Sequence, residues 1–294
     1  MAASTKLAAL PLVVIAGPTA SGKTALAIEM AKRFGGEIIC ADSRTIYKGM
    51  DIGTAKPTVS EQGGVPHWGL DLVDPGDYFS AADFKKYAED KIREIRERGH
   101  IPFLVGGTGL YVDAVVFDYT FGPQADPAAR AKLEAMTLEE LHQYCLQNNI
   151  SLPENDKNKR YVVRAIEQKN VSTSRRDRPI DNCTIVGIAT DSKTLRERIE
   201  LRSEQIFDDA VVEEATLLGK KYGWNSEAMT GNIYPLVHAY LKNYLTLEEV
   251  KEKFTTLDWR LAKRQMTWLR RNRFVQWGSL PEVKQMLVNL LANE

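Results

Sequence analysis

The chain has 294 residues with 39 basic and 39 acidic side chains, so its balanced charge neither favours nor excludes a nucleic-acid partner. Apolar residues make up 44% of the chain and charged residues 27%, which is typical of a globular protein and excludes a low-complexity class. The length predicts one sizeable domain with a smaller one. The lack of an apolar run of about 18 residues, and of a signal segment in residues 1–9, predicts a cytoplasmic protein that does not span a membrane.

Predicted strands alternate with predicted helices along much of the chain. The apolar run Leu12–Ala16 has the length of a buried parallel strand, and Gly17 ends it. Further strands are predicted over residues 37–41, 101–105 and 184–189, and helices over residues 24–34 and 81–98. Strands separated by helices form βαβ units, so we predict an α/β fold with a parallel sheet covered on both faces.

Two helical segments interrupt this alternation, at residues 120–178 and 192–272. They predict a sheet core that carries a helical insertion, or lid. The predicted organisation is a first part of the core in residues 1–119, the insertion in 120–180, a core strand in 181–195, a helical substrate-contacting region in 196–257, and C-terminal helices that pack on the core in 258–294.

A phosphate-binding motif follows the first predicted strand. Residues 17–24 match G-x-x-x-x-G-K-[ST] in full between a predicted strand and a predicted helix. In such a loop the backbone N–H groups and the helix N-terminus bind phosphate oxygens, the lysine reaches the terminal phosphate and the hydroxyl holds Mg²⁺. The motif therefore predicts a P-loop NTPase-like core in which Lys23 binds phosphate and Thr24 binds Mg²⁺. The predicted diphosphate-binding residues are Gly17, Pro18, Thr19, Ala20, Ser21, Gly22, Lys23 and Thr24.

An acidic residue, Asp42, ends the second predicted strand. Carboxyl ends of parallel strands share one edge of a sheet, so Asp42 is expected beside the P-loop. There it has three interpretations. It could bind Mg²⁺ as a Walker B acid, accept a proton as a general base, or cap a turn together with Ser43.

Several longer motifs follow the P-loop in a fixed order. Residues 42–57 are DSRTIYKGMDIGTAKP, and further motifs lie at residues 66–68 (PHW), 79–84 (FSAADF), 105–111 (VGGTGLY), 158–160 (NKR), 164–167 (RAIE) and 262–269 (AKRQMTWL). In this order the motifs resemble those of the tRNA dimethylallyltransferases, also called isopentenyl-tRNA transferases. The resemblance covers nearly the whole chain.

The resemblance implies transfer of a dimethylallyl group from dimethylallyl diphosphate to the exocyclic amine of the adenine 3′ to a tRNA anticodon. Pyrophosphate is the leaving group. The implied catalytic residues are Lys23, Asp42 and Thr108. Asp42 would accept the proton of the amine, while Lys23 and Mg²⁺ would stabilise the charge that develops on pyrophosphate.

The resemblance also implies contacts with the flipped adenine and with the anticodon stem-loop of tRNA. These tRNA-binding positions are Asp42, Ser43, Arg44, Thr45, Thr108, Arg130, Lys159, Arg160, Tyr161, Val162, Val163, Lys263, Arg264, Gln265, Met266, Thr267, Trp268, Leu269 and Arg270. The spacing of residues 263–273 alone is also typical of an amphipathic helix, in which Trp268 packs instead of stacking on a base. A monomer is expected.

The chain departs from the family pattern at three places. The family usually has Gln where Thr45 stands, a Gly-Tyr pair where Ile233 and Tyr234 stand, and in eukaryotic members a C-terminal zinc finger that this sequence lacks. Three alternatives stay open: a prenyl transferase that acts on free AMP, ADP or ATP, a P-loop nucleotide kinase, and a non-catalytic RNA-binding protein. The basic segment at residues 263–273 favours tRNA over a free nucleotide.

Overall fold

The computed structural model describes residues 10–122, 126–169, 174–207 and 209–292. Its centre is one sheet in which every pair of neighbouring strands is parallel, in the order β3-β2-β4-β1-β5-β6. The strands are β1 (Leu12–Ala16), β2 (Gly36–Ala41), β3 (His67–Trp68), β4 (Ile101–Gly106), β5 (Cys183–Ile188) and β6 (Gln276–Gly278).

Twelve α-helices lie within the described residues. They are α1 (Lys23–Phe34), α2 (Val59–Gln62), α3 (Ala81–Glu97), α4 (Gly109–Val116), α5 (Pro127–Ala135), α6 (Leu138–Gln147), α7 (Lys159–Gln168), α8 (Ser192–Ile206), α9 (Asp209–Tyr222), α10 (Tyr234–Leu241), α11 (Leu247–Leu269) and α12 (Leu280–Leu291). A 3₁₀ turn, Ala228–Thr230, precedes α10.

Strand β1 is the most buried part of the sheet. Its five residues are fully buried, and it pairs with β4 on one side, with Val13 opposite Phe103, and with β5 on the other, with Leu12 opposite Cys183. A strand that is covered on both faces needs apolar side chains in every position, which explains why this run does not alternate. The predicted α/β fold with a parallel sheet is confirmed.

Helices α5, α6 and α7 belong to a separate compact unit, Asp118–Asp177, while the sheet and the other helices form the first unit. The small unit has its own hydrophobic core, in which Leu141 and Cys145 of α6 pack with Val162, Val163 and Ile166 of α7. The predicted division of the chain into five segments stays a prediction.

Two strands were not predicted from the sequence. Strands β3 and β6 have two and three residues, which is too short to show a period of two. Within the described residues, no helix combines the length and the apolar character that a membrane crossing requires. The prediction that residues 1–9 carry no targeting signal lies outside the described residues.

Candidate active site

A cavity of about 530 Å³ opens at the carboxyl edge of the sheet. The neighbouring strands β1, β4 and β2 end there, so the P-loop, Thr108 and Asp42 meet although they are far apart in sequence. The thiol of Cys40, the penultimate residue of β2, also lines the cavity, and burial raises its pKa to about 12. The prediction that Asp42 lies beside the P-loop is confirmed.

The P-loop has the backbone geometry that its glycines predict. Gly22 has φ = 88°, a left-handed conformation, and α1 begins at the next residue, Lys23. Ala20 also has a positive φ, 59°, which is uncommon for a residue with a side chain. Such outliers occur at ligand-binding turns, where the surrounding structure holds the backbone.

The side chain of Lys23 folds back over the P-loop, and its Nζ donates a hydrogen bond of 3.1 Å to the carbonyl of Pro18. Burial lowers the pKa of Lys23 to about 8. The carboxylate of Asp42 opposes this shift and the guanidinium of Arg202 adds to it. A bound diphosphate would place negative charge beside Lys23 and would so favour its protonated form.

The turn that follows Asp42 connects this residue to Thr108 through two hydrogen bonds from backbone N–H groups. One carboxylate oxygen of Asp42 accepts a 2.8 Å hydrogen bond from the N–H of Arg44, and the N–H of Ser43 donates to the hydroxyl of Thr108 at 3.1 Å. Among the residues that the structure describes, Oδ2 of Asp42 has no hydrogen bond. This oxygen is available to a substrate.

Arg44 and Thr45 were both predicted to contact tRNA. The guanidinium of Arg44 donates to the carbonyl of Glu227 at 3.2 Å and to the hydroxyl of Thr230 at 3.3 Å, so it connects the 3₁₀ turn to the cavity; its tRNA contact stays a prediction. Thr45 is 7% exposed, and its buried hydroxyl has no partner in the described parts of the chain although the residue lines the cavity.

Side chains of helices α8 and α11 form hydrogen bonds with the P-loop. Arg202 of α8 donates a 2.7 Å hydrogen bond to the hydroxyl of Thr19, and the side-chain oxygen of Gln265 of α11 accepts from the N–H of Thr19 at 2.8 Å. Arg198, one helical turn before Arg202, donates to the carbonyls of Ala20 and Ser21, both at 3.4 Å. Sequence analysis missed both arginines, although their i, i+4 spacing was a usable signal.

The predicted tRNA-binding segment 263–270 comprises the last turns of α11 and the residue that follows it. Lys263, Arg264, Thr267 and Arg270 are exposed, while Gln265 and Met266 are partly buried. Trp268 packs: its Nε1 donates a 2.6 Å hydrogen bond to a carboxylate oxygen of Asp113. Leu269 is 2% exposed, so its side chain is part of the core and is not an RNA contact.

The other predicted tRNA-binding residues lie in the small unit. Arg130 pairs with Glu134 at 2.8 Å and with Glu167 at 3.3 Å, and Lys159 donates to the carbonyl of Glu134. Arg160 and Tyr161 are exposed on α7. The side chains of Val162 and Val163 are corrected to packing positions, because they are at most 1% exposed in the core of this unit.

The chain matches the family model described as IPP transferase over residues 45–272, which is more than half of its length. It belongs to this family. A second model, described as isopentenyl transferase, matches residues 10–70. Proteins of Bacillus subtilis and Bacillus mycoides named tRNA dimethylallyltransferase are each 37% identical, over 91% and 90% of this chain and 90% and 89% of their own lengths.

Solved structures resemble the whole chain of this IPP transferase family member. The tRNA isopentenylpyrophosphate transferase of Bacillus halodurans is 36% identical with a TM-score of 0.73, and each chain is covered to 96%. The tRNA isopentenylpyrophosphate transferase of Staphylococcus epidermidis is 31% identical with a TM-score of 0.68, and the match covers 96% of this chain and 97% of that one. A eukaryotic dimethylallyltransferase acting on tRNA, at 20% identity and a TM-score of 0.75, shares the fold.

The donor atoms of the site suit Mg²⁺. The described residues contain no group of three or more His, Cys, Asp or Glu side chains that could enclose a metal ion. Mg²⁺ is often bound by one or two protein oxygens together with substrate phosphates, and the hydroxyl of Thr24 lines the cavity at the P-loop. The residues present therefore fit a magnesium ion that arrives with a diphosphate.

Proposed function

We infer that the chain is a tRNA dimethylallyltransferase, which moves a dimethylallyl group from its diphosphate to a tRNA base. The observation that carries this conclusion is the meeting of the P-loop lysine Lys23, the carboxylate of Asp42 and the hydroxyl of Thr108 around one cavity. Family membership and the names of the bacterial relatives support it.

The reaction breaks the C–O bond between the allyl carbon and the diphosphate and forms a C–N bond to the exocyclic amine of adenine. The bonding electrons leave with pyrophosphate. Lys23 and the N–H groups of the P-loop would bind that developing charge, with Mg²⁺ on Thr24 neutralising the phosphates when bound. The proton of the amine would pass to Oδ2 of Asp42.

Thr108 has a positioning role in this scheme. Its hydroxyl accepts the N–H of Ser43, which fixes the turn that follows Asp42. The same hydroxyl has a proton to donate, so it can orient the base against the allyl carbon. Holding both reactants in line contributes strongly, because adenine's amine is a weak nucleophile.

The exposed basic side chains of Lys263, Arg264 and Arg270 favour tRNA over a free adenine nucleotide as the acceptor. Arg264 also lines the cavity, but a free nucleotide that fills only the cavity would leave the cations of Lys263 and Arg270 without a ligand. The adenine 3′ to the anticodon, a monomeric state and a cytoplasmic location stay predictions.

A transfer assay tests the proposal. The protein is incubated with Mg²⁺, radiolabelled dimethylallyl diphosphate, and either unmodified tRNA or AMP. We expect label in tRNA, a loss of at least about a hundredfold in kcat for Asp42→Ala, and no change for Asp90→Asn, which alters a half-exposed acid of α3.

Two outcomes would contradict the proposal. Label in AMP and not in tRNA would assign the chain to the prenyl transferases of free nucleotides. Phosphorylation of a nucleotide by ATP, with no label in either acceptor, would favour the kinase alternative.

A further inference from the structure

A line of polar side chains connects Asn232 to the P-loop. Nδ2 of Asn232 donates a 2.8 Å hydrogen bond to Oδ1 of Asp258. Oδ2 of Asp258 lies 3.9 Å from Nη1 of Arg202, and the same Nη1 donates to Thr19 at 2.7 Å. All four residues line the cavity, and Asp258 is 3% exposed.

Two buried atoms in this line have no hydrogen-bond partner among the described residues: Oδ2 of Asp258 and Nε of Arg202. Buried polar atoms of native proteins are nearly always paired, so such atoms at a cavity indicate a ligand or a small movement on binding. Nε of Arg202 carries an N–H and needs an acceptor. An anion in the P-loop would provide one.

A carboxylate this close to a phosphate site repels the phosphate unless a cation stands between the two. Arg202 stands in that place, between Asp258 and Thr19. The charge of Arg202 also repels Lys23, and a buried carboxylate on its far side offsets that repulsion. Without the carboxylate of Asp258, the guanidinium of Arg202, whose side chain is 26% exposed, is free to turn towards solvent.

We propose that Asp258 is a positioning residue: its carboxylate, held by Asn232, keeps the guanidinium of Arg202 beside the P-loop so that Arg202 binds the diphosphate. The inference rests on the proposed function, because the diphosphate is that of the allyl donor. Asp258 acts through Arg202 and touches neither the allyl group nor the base.

Binding of inorganic pyrophosphate tests this role, since pyrophosphate has neither allyl group nor RNA. Its Kd is measured by calorimetry with Mg²⁺ on the full chain. We expect about tenfold weaker binding for Asp258→Asn, with the Kd for tRNA unchanged. Glu252→Gln is the control, because Glu252 is an exposed acid of the same helix and should bind pyrophosphate as the unchanged protein does.

A double-mutant cycle separates positioning from general stability. Arg202→Lys should weaken pyrophosphate binding alone, but should add little to Asp258→Asn, because both changes remove one oriented guanidinium. Additive effects, or unchanged pyrophosphate binding in Asp258→Asn, would overturn the inference. If Asp258→Asn does not fold, Asn232→Ala is tested in its place. This variant keeps the charge of Asp258 and should weaken pyrophosphate binding severalfold. Unchanged pyrophosphate binding in Asn232→Ala would overturn the inference.

The experiments distinguish a failure of the proposed function from a failure of the role proposed for Asp258. If the unchanged protein labels no tRNA but the cycle on pyrophosphate binding is non-additive, the positioning role of Asp258 stands and the assignment of the reaction falls.

Discussion

Lys23 carries its charge in surroundings that disfavour it. Burial is the main cause that lowers its pKa to about 8, against 10.5 for an ordinary lysine. The ammonium is therefore mostly protonated at neutral pH and deprotonated in mildly alkaline solution. Since a diphosphate binds the charged form, the affinity of the P-loop depends on pH in a range that leaves exposed lysines unchanged.

Pyrophosphate binding should therefore weaken as the pH rises through about 8. The measurement is the Kd of pyrophosphate between pH 7 and 9.5 at constant Mg²⁺. Lys23→Arg is the control, because arginine stays protonated over this range and its profile reports only the titration of the ligand. Parallel profiles for the two proteins would contradict the assignment.

The residues of the site differ in how well the sequence predicts them. Lys23, Asp42 and Thr108 lie in contiguous motifs at strand ends, where topology brings them together. Arg202 and Asp258 lie on long amphipathic helices, and an arginine or aspartate there has the pattern of a solvated face. Only the packing of α8 against α11 turns these two side chains towards the P-loop.

Helix α11 reaches the site because α4 begins with a glycine. A Cβ atom on Gly109 would lie only 2.0 Å from Cδ1 of Trp268, whose Nε1 is bonded to Asp113. The absence of a side chain thus lets an indole ring rest on the first turn of α4. The motif around Gly109 is recognisable in the sequence, but the contact of Gly109 with Trp268, 159 positions later, is not.

Gly109→Ala should destabilise the protein by about 1–3 kcal/mol, because the clash with the ring outweighs the higher helix propensity of alanine. Thermal or urea unfolding measures it. Trp268→Leu removes the ring, so the double variant should be less destabilised than the sum of the single changes. A Gly109→Ala protein as stable as the original would show that the two helices separate without cost.

One carboxylate of α9 anchors the loop that forms a wall of the cavity. Glu214 accepts hydrogen bonds from three consecutive N–H groups, those of Asp51, Ile52 and Gly53, at 2.9, 2.7 and 2.9 Å, and from the hydroxyl of Tyr234 at 3.0 Å. Gly53 itself lines the cavity. Glu214 therefore links α9 and α10 to the wall of the cavity.

Glu214→Gln should cost about 1–3 kcal/mol of unfolding free energy, because an amide N–H₂ replaces one acceptor and faces other donors. The neighbouring Glu213, which is exposed, provides the matched change Glu213→Gln, expected to be neutral. Chemical denaturation compares the two variants, and equal stabilities would remove the anchoring role.

In the first unit, Glu37 connects segments that are distant in sequence. Near the amino end of β2, away from the cavity, it accepts hydrogen bonds from Trp68 of β3 at 2.7 Å and from Arg98 at 2.8 Å, and it contacts His100 at 2.8 Å. Burial alone would raise the pKa of Glu37, but the bonds from Arg98, His100 and Trp68 outweigh it and lower the pKa to about 2.

This carboxylate makes the stability of the protein depend on pH. Its folded pKa lies below the ordinary value of 4.5, so its contribution, on the order of 3 kcal/mol, is complete above pH 4.5 and is lost as the pH falls towards 2. Glu37→Gln should unfold more easily at pH 7, with a difference from the unchanged protein that shrinks below pH 4.5. A difference that stays constant from pH 7 to pH 3 would contradict this account.

The sequence predicted the parallel sheet because buried strands such as Leu12–Ala16 are continuous apolar runs. It did not predict the Glu37 cluster, since a glutamate inside an apolar strand shows nothing of the partners that bury it. Nor did it predict the short edge strand that supplies Trp68. Long-range polar contacts follow from the assembled fold and are not encoded in any local pattern.

Cys40 lines the cavity that, in the proposed reaction, would hold an allyl carbon that becomes electron-poor during transfer. A thiolate there would compete with adenine for the allyl carbon and would itself be alkylated, with pyrophosphate as the leaving group. With its pKa raised to about 12, mainly by burial, Cys40 stays protonated and is a poor nucleophile at neutral pH. Mass spectrometry after many turnovers should find the protein without a prenyl adduct, and an adduct on Cys40 would show that the enzyme inactivates itself during catalysis.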